Sequence, residues 1–327
     1  MSDDGVSYTP GELDRDATFY VAGHRGLVGS AIWRKLKASG FTRLVGKTSA
    51  ELDLRDRDAT FAFMAESKPR YLVLAAAKVG GILANSTYPV DFLSENLRIQ
   101  TNVLDAALAN DVERVLFLGS SCIYPKYAEQ PIREESLLTG HLEPTNDAYA
   151  IAKIAGISHI HAVRRQYGLP WISAMPTNLY GPNDNFSPSG SHVLPALIRR
   201  YDEAVRVGAS TVTNWGTGTP RREFLFSDDM ADACLFLLEH YDGPSQINVG
   251  TGEDATIREI ADLVAEAVGY TGDTEWDTSK PDGTPQKLLD ISRLRDAGWT
   301  PRIGLGEGIA RAVEWYRSVA RKTADGH

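Results

Sequence analysis

The sequence predicts an α/β protein organised around a doubly wound parallel sheet, followed by a smaller C-terminal α/β region. Three observations predict it. Apolar runs of strand length alternate with stretches of helical spacing up to residue 176. A glycine-rich turn follows the first run directly. After a cluster of Gly, Pro and Asn at 177–190 the alternation becomes irregular. Parallel neighbours need a crossover between them, and a helix is the usual one, so this alternation implies parallel pairing.

Taken in order, residues 18–22 read as a short buried strand, β-branched or aromatic at each position from 18 to 21. After the glycine turn, Leu27, Val28, Ala31, Ile32 and Leu36 recur at helical spacing. Strands follow at 42–45, 71–77 and 114–120, separated by helices near 56–66 and 92–109. A helix over 147–167 leads to a strand at 171–176. Beyond the 177–190 cluster, helices are expected near 192–207, 228–239, 256–268 and 306–319. The chain thus divides into an extension at 1–16, a first domain at 17–178 and a second region at 179–327. That boundary is soft, because a cap can draw chain from both sides of a central sheet. Five of the first sixteen residues are Asp or Glu and no apolar stretch lies among them, so 1–16 reads as a disordered extension and not as a secretion signal.

Composition excludes several function classes. The 327 residues, at roughly 150 per domain, suffice for about two units with a large core. Lys and Arg number 34 against 43 Asp and Glu, a net charge of −9, which repels phosphate backbones and anionic lipid. Neither a nucleic-acid partner nor a membrane is expected, and no apolar run approaches the ~20 residues of a membrane span. Two cysteines, Cys122 and Cys234, are too few for a disulfide framework, and no Cys and His spacing suits a metal. A reducing, cytoplasmic location is the expectation.

Gly23-His24-Arg25-Gly26-Leu27-Val28-Gly29 lies between the first strand and the first helix. Backbone N–H groups and a helix N-terminus converge there, which suits a pyrophosphate and makes 17–178 an expected Rossmann domain. The Gly-x-x-Gly-x-x-Gly spacing resembles the short-chain dehydrogenase form of this turn. An NAD enzyme usually places Asp or Glu after the second strand, to accept from the ribose 2′-OH; here stand Gly46-Lys47-Thr48-Ser49. Arg25 and Lys47 are placed instead to meet a 2′-phosphate by charge-assisted bonds, which favours NADP(H). Lys47 by itself also reads as a solvated surface lysine.

Tyr149 and Lys153 stand four residues apart, hence on one helix face about a turn apart. An adjacent ammonium is expected to lower the phenol pKa by stabilising phenolate. Ser120, at the C-terminal end of the strand at 114–120, adds a hydroxyl where open parallel sheets hold their ligands. The three describe a site that polarises a carbonyl. Cys122 follows two residues on, facing the same side if the strand continues, and His192 opens a probable helix. On residue type alone, such a cysteine reads equally as a small core residue and such a histidine as a cap.

The motifs in combination are more specific than any one of them. Residues 23–29, 74–81 (Leu-Ala-Ala-Ala-Lys-Val-Gly-Gly), 119–125 (Gly-Ser-Ser-Cys-Ile-Tyr-Pro), 143–156, 175–182, 222–225 and 280–285 resemble the GDP-L-fucose synthase family of the extended short-chain dehydrogenase superfamily. The resemblance spans residues 17–320. It implies a two-step epimerase-reductase that converts GDP-4-keto-6-deoxy-D-mannose to GDP-L-fucose, inverting C3 and C5 and then reducing C4 with NADPH. In that pattern Ser120, Tyr149 and Lys153 serve the reduction, with Cys122 as base and His192 as acid of the epimerisations. It further implies cofactor contacts from His24, Leu27 and Val28 within the glycine turn, and from Ala76, Lys153, Pro176, Asn178, Leu179 and His192, with Asn178 in the loop closing on nicotinamide. The second region becomes a substrate-binding region. Arg200, Arg222 and Lys287 are the candidate cations for the nucleotide diphosphate, with Trp215 as a stacking face and Asp282 beside them. Relatives often pair through helices such as 92–109 and the Tyr149 helix, so a homodimer is expected. The longer N-terminal extension, and Lys47 where arginine is common, depart from the pattern.

Two rival readings differ in class. A nucleotide-sugar 4-epimerase or 4,6-dehydratase keeps Ser, Tyr and Lys, but gives no reason for Cys122 and His192. Dehydratases usually carry an Asp and Glu after a Thr where this chain has Ser121-Cys122. A non-catalytic NADP-binding scaffold leaves the intact catalytic set without purpose.

Overall fold

The computed structural model describes residues 11–188, 190–280 and 282–324, of which 320–324 by backbone alone. Strands β1 (Phe19–Ala22), β2 (Leu44–Val45), β3 (Tyr71–Leu74), β4 (Arg114–Leu118) and β5 (Ile172–Pro176) alternate with helices α1 (Leu27–Ala38), α2 (Arg57–Ser67), α3 (Ile82–Thr87), α4 (Pro89–Ala109) and α5 (Asp147–Tyr167). There follow β6 (Asn178–Tyr180), α6 (Val193–Val207), β7 (Thr211–Trp215), β8 (Arg221–Arg222), β9 (Phe224–Phe226), α7 (Ser227–His240) and β10 (Ile247–Val249). The chain ends with β11 (Ala255–Thr256), α8 (Ile257–Val268), β12 (Asp273–Asp277), β13 (Gln286–Lys287), α9 (Ser292–Asp296) and α10 (Leu305–Ala324).

Six strands form one parallel sheet in the order β10-β5-β4-β3-β1-β2. Period-two alternation sends Phe19, Val21, Val73, Leu116 and Ala174 to one face and Tyr20, Leu72, Leu74, Val115 and Phe117 to the other. Ala31, Ile32 and Leu36 of α1 join Leu235 and Leu238 of α7 on the first face. Val103 and Leu104 of α4 join Ile157 and Ile160 of α5 on the second. Each such buried aliphatic side chain contributes roughly 1.5–3 kcal/mol. A third core gathers Leu197, Ile198 and Tyr201 of α6, Ile260 and Val264 of α8, and Ile309 and Val313 of α10.

The chain returns to the first layer after leaving it. β10 pairs with β5 and α7 packs on α1, although both lie beyond residue 178 in sequence. Small pairs and triplets of strands (β6 with β9, β7 with β12, β11-β8-β13) had no periodic signal to announce them.

The structure corrects three expectations. Residues 1–10 of the expected disordered extension lie outside the described residues, but the remainder is tied down. Leu13 is buried in the core, Asp14 N donates to the Tyr71 hydroxyl at 3.1 Å, and Arg15 pairs with Glu239 at 2.5 Å. One buried apolar side chain together with polar contacts from its two neighbours anchors this stretch. The strand expected at 71–77 ends at Leu74, and the one at 114–120 ends at Leu118, where a 3₁₀ turn over Ser121–Ile123 takes over. The Ser120 side chain caps that turn by accepting from Cys122 N at 3.3 Å, so Cys122 does not continue a strand.

Candidate active site

The glycine turn is shaped for an anion. Gly23 takes a positive φ of 86°, and a Cβ on Gly29 would stand 2.1 Å from the Gly23 carbonyl oxygen, so no side chain fits the cradle. The α1 N-cap, Gly26, offers no side-chain cap, and the first turn holds no acid. The N–H groups around Leu27 and Val28 therefore have no side-chain competitor for a phosphate. Ala76 closes the turn from behind, its backbone N 2.8 Å from where a Gly23 Cβ would sit. Arg25 and Lys47 flank a common point: both act on the Glu51 carboxylate, which hydrogen bonds from Thr48 chiefly hold below its usual range. The His24 ring lies against Gly46 and tilts over Trp33 at 5.2 Å. These residues fit a dinucleotide carrying a 2′-phosphate.

Ser120, Tyr149 and Lys153 come together at the C-terminal end of β4. Gly156 explains the approach of α5: a Cβ there would fall 2.3 Å from the Phe117 ring, so glycine lets the helix lie close on β4. Lys153, only 4% exposed, donates to the Leu118 carbonyl at 2.9 Å and stands 5.8 Å from the Tyr149 ring centre. Burial pulls its pKa down to about 8. The phenol departs from expectation. Burial foremost, then nearby Cys122, push Tyr149 above the usual phenol range, and the Ser120 hydrogen bond opposes them. The Lys153 ammonium is turned toward the Leu118 carbonyl, so burial decides and Tyr149 stays protonated at neutral pH.

Cys122 sits half-buried beside this group. Asn146, at the N-cap of α5, donates from Nδ2 to Cys122 Sγ at 3.5 Å, and Lys287 Nζ reaches the same sulfur at 3.6 Å. His192 is the N-cap of α6, and its side chain makes no cap hydrogen bond. The residue as a whole is exposed, while desolvation by the atoms packed around the imidazole lowers its pKa and disfavours the imidazolium. Its neighbour Ser191 has its carbonyl 3.0 Å from a Cβ built on Gly81, in the loop that leads to α3. The phenol, the thiol and Lys287 are brought together directly, whereas among the described residues no hydrogen bond or ion pair ties His192 to them.

The remaining candidate residues belong to the second region or border it. Arg200 donates to Asn214 Oδ1 at 2.6 Å. Trp215, 63% exposed, ends β7 with Lys280 Nζ 5.8 Å from its ring centre. Asp282 accepts from Thr217 N at 2.7 Å and from the Thr217 hydroxyl at 2.8 Å. Arg222 and Lys287 are register partners of β8 and β13, and burial disfavours the charged Arg222 while Asp282 supports it. Pro176 pairs with Val249, Leu179 packs against the core, and the Asn178 carboxamide donates to the Glu223 carbonyl at 2.8 Å.

Two residues escaped the sequence reading. Asn146 carried a signal only as a helix-start residue ahead of Tyr149. Glu223, wholly buried, accepts from Thr251 N at 2.6 Å, Gly252 N at 2.7 Å and Leu289 N at 3.0 Å. It ties the loop after β10 to the segment carrying Lys287. A carboxylate between Arg222 and the apolar run of β9 was its available signal.

A family model described as the NAD dependent epimerase/dehydratase family matches residues 19–250. GDP-L-fucose synthase 1 of Arabidopsis thaliana is 59% identical over 303 residues, covering 93% of this chain and 94% of its own. GDP-L-fucose synthase of Escherichia coli (strain K12) is 54% identical, covering 91% of this chain and 95% of its own. The chain belongs to the GDP-L-fucose synthase family. A solved GDP-L-fucose synthetase from Naegleria fowleri, bound to NADP, superposes with a TM-score of 0.88 at 29% identity, covering 97% of this chain and 98% of that one. The likeness thus extends over 97% of the chain, well past the residues that the family model matches.

Proposed function

We propose that this protein converts GDP-4-keto-6-deoxy-D-mannose to GDP-L-fucose, as an epimerase at C3 and C5 and an NADPH-dependent reductase at C4. The observation that carries this reading is a thiol, Cys122, held beside the Ser120–Tyr149 pair at the end of β4. A plain reductase needs no such base. The 4-keto group acidifies hydrogens on both flanking carbons, and each deprotonation places charge on the same O4. One donor site therefore serves both inversions. Tyr149, protonated and backed by Ser120, stabilises that charge and finally gives its proton to O4. Cys122 takes the carbon-bound proton, and His192 returns one from the opposite side of the ring. Bound NADPH supplies the hydride at C4. Arg200, Arg222 and Asp282 grip the nucleotide, and Trp215 offers it a stacking face. Purified protein incubated with GDP-mannose, a mannose 4,6-dehydratase and NADPH is expected to yield the L-fuco sugar by NMR. A 6-deoxy product that keeps the D configuration would reduce the assignment to a simple reductase.

Arg25 and Lys47 are assigned the 2′-phosphate. Losing both charge-assisted contacts, in Arg25→Ala with Lys47→Ala, is expected to raise KM for NADPH roughly 10- to 100-fold and to leave KM for NADH nearly unchanged. Equal shifts in steady-state kinetics with the two cofactors would remove these residues from that role. The chain is also proposed to work in the cytoplasm as a homodimer. Among the described residues no helix is long and apolar enough to cross a membrane. Helices α4 and α5 share one core and leave Val90 and Ile151 exposed, a surface a second copy would cover. Sedimentation is expected to show twice the chain mass, and Ile151→Arg to shift it to the monomer; a monomeric parent protein refutes the pairing.

A further inference from the structure

We propose that Lys287 and Asn146 are positioning residues for Cys122, holding its sulfur as the proton acceptor of the epimerisations, and that Lys287 is not a diphosphate ligand. This rests on the role given to Cys122 above. Two donors converge on one sulfur from unrelated elements, Asn146 Nδ2 at 3.5 Å from the start of α5 and Lys287 Nζ at 3.6 Å from β13. Both are fixed without any substrate. Lys287 lies in register with Arg222, its carbonyl accepts from Glu223 N at 3.3 Å, and the two residues after it are pinned by Gln130 Oε1 at 2.9 Å and Glu223 Oε2 at 3.0 Å. Asn146 N is held by the Glu143 carbonyl at 3.2 Å, and the Asn146 carbonyl receives Ala150 N at 3.0 Å.

The Asn146 carboxamide adds an independent sign. Its Oδ1 is buried without a hydrogen-bond partner, an unfavourable arrangement for a carboxamide. What the amide does make is its bond to sulfur. Lys287 departs likewise from the behaviour of a phosphate ligand: of the paired cations, Arg222 is influenced by the Asp282 carboxylate, while Lys287 is directed at the thiol.

The chemistry explains the arrangement. A sulfur that is to take a proton must first carry negative charge, and an adjacent ammonium stabilises that charge. In the step itself the C–H bond breaks, the S–H bond forms, and the electron pair passes into the enolate with its charge on O4. The Lys287 ammonium keeps its proton throughout. The amide fixes where the sulfur points, and the ammonium balances its charge.

Alkylation by iodoacetamide tests this without any sugar present, with buried Cys234 as the internal reference. Lys287→Met is expected to slow modification of Cys122 about tenfold at neutral pH, and Asn146→Ala by a smaller factor, while Lys287→Arg retains most of the rate. Solvent deuterium entry into the keto sugar should fall in parallel, with KM for the sugar nucleotide within about twofold of the parent protein. Unchanged alkylation together with a raised KM returns Lys287 to the diphosphate and overturns the proposal. Because the alkylation rates do not depend on turnover, a protein that shows them but makes no L-fuco product keeps the sulfur arrangement and loses the assigned reaction.

Discussion

Replacing Tyr149 by Phe is expected to abolish reduction at C4 while leaving hydrogen exchange on the flanking carbons at least partly intact. Burial holds the phenol protonated across the neutral range, so it enters the cycle as a donor and not as a phenolate. Removing its hydroxyl takes away the proton that O4 receives as hydride arrives, and a positioned acid of this kind is worth about 10²–10⁴ in rate. The enolate loses one of two donors, since Ser120 remains beside the same oxygen. NADPH oxidation should therefore drop by the full factor and deuterium entry, followed by NMR, by much less. Proportionate losses would mean that Tyr149 only shapes the pocket. The pH dependence follows from Lys153, whose pKa burial lowers to about 8. Below that value its ammonium is intact; above it the charge behind Tyr149 disappears. Reduction by the parent protein is thus expected to decline as pH rises through about 8, and the residual rate of the Phe variant to lose that limb.

What could be read from the sequence was what depends on short-range periodicity. Tyr149 and Lys153 were placed on one face because a helix returns every 3.6 residues, and the glycine turn because it separates a strand from a helix. Sequence reading failed where one residue or one long-range pairing decided the outcome. Ser120 and Cys122 share a face only if the strand continues, and it does not: the Ser120 hydroxyl caps a 3₁₀ turn that presents the thiol by another route. Lys287 read as one more cation for phosphate, since nothing near it in the chain reveals that β13 will lie in register with β8 and direct its ammonium at a sulfur 165 residues away. α7 and β10 are apolar in the same manner whichever layer receives them, so their return to the first sheet left no local trace. The ammonium's effect on Tyr149 was misjudged for a related reason. Spacing sets proximity but not burial, and desolvation was the larger influence.

Cys122→Ser is expected to show the opposite split from Tyr149→Phe. Affinity for NADPH should be unchanged, because the cradle of Gly23, Gly26 and Gly29 and the Arg25–Lys47 pair involve no atom of the thiol. The turn should also survive, since its cap is made by the backbone N of residue 122 and not by Sγ. Serine nearly matches cysteine in shape, and Asn146 and Lys287 can donate to oxygen as they do to sulfur. What serine lacks is a readily formed anion, even with an ammonium beside it, so removal of a carbon-bound hydrogen should slow by about 10²–10⁴. Deuterium incorporation into the keto sugar is the direct readout. If it proceeds undiminished, the base lies elsewhere and Cys122 is a packing residue. If it is lost while C4 is still reduced, the product must keep the D configuration of the sugar supplied, and NMR distinguishes the two outcomes. Loss of exchange with hydride transfer kept in one variant, and the reverse in the other, would separate the carbon-acid step from the reduction, although Cys122 acts on the carbons flanking the very carbonyl whose oxygen Tyr149 holds.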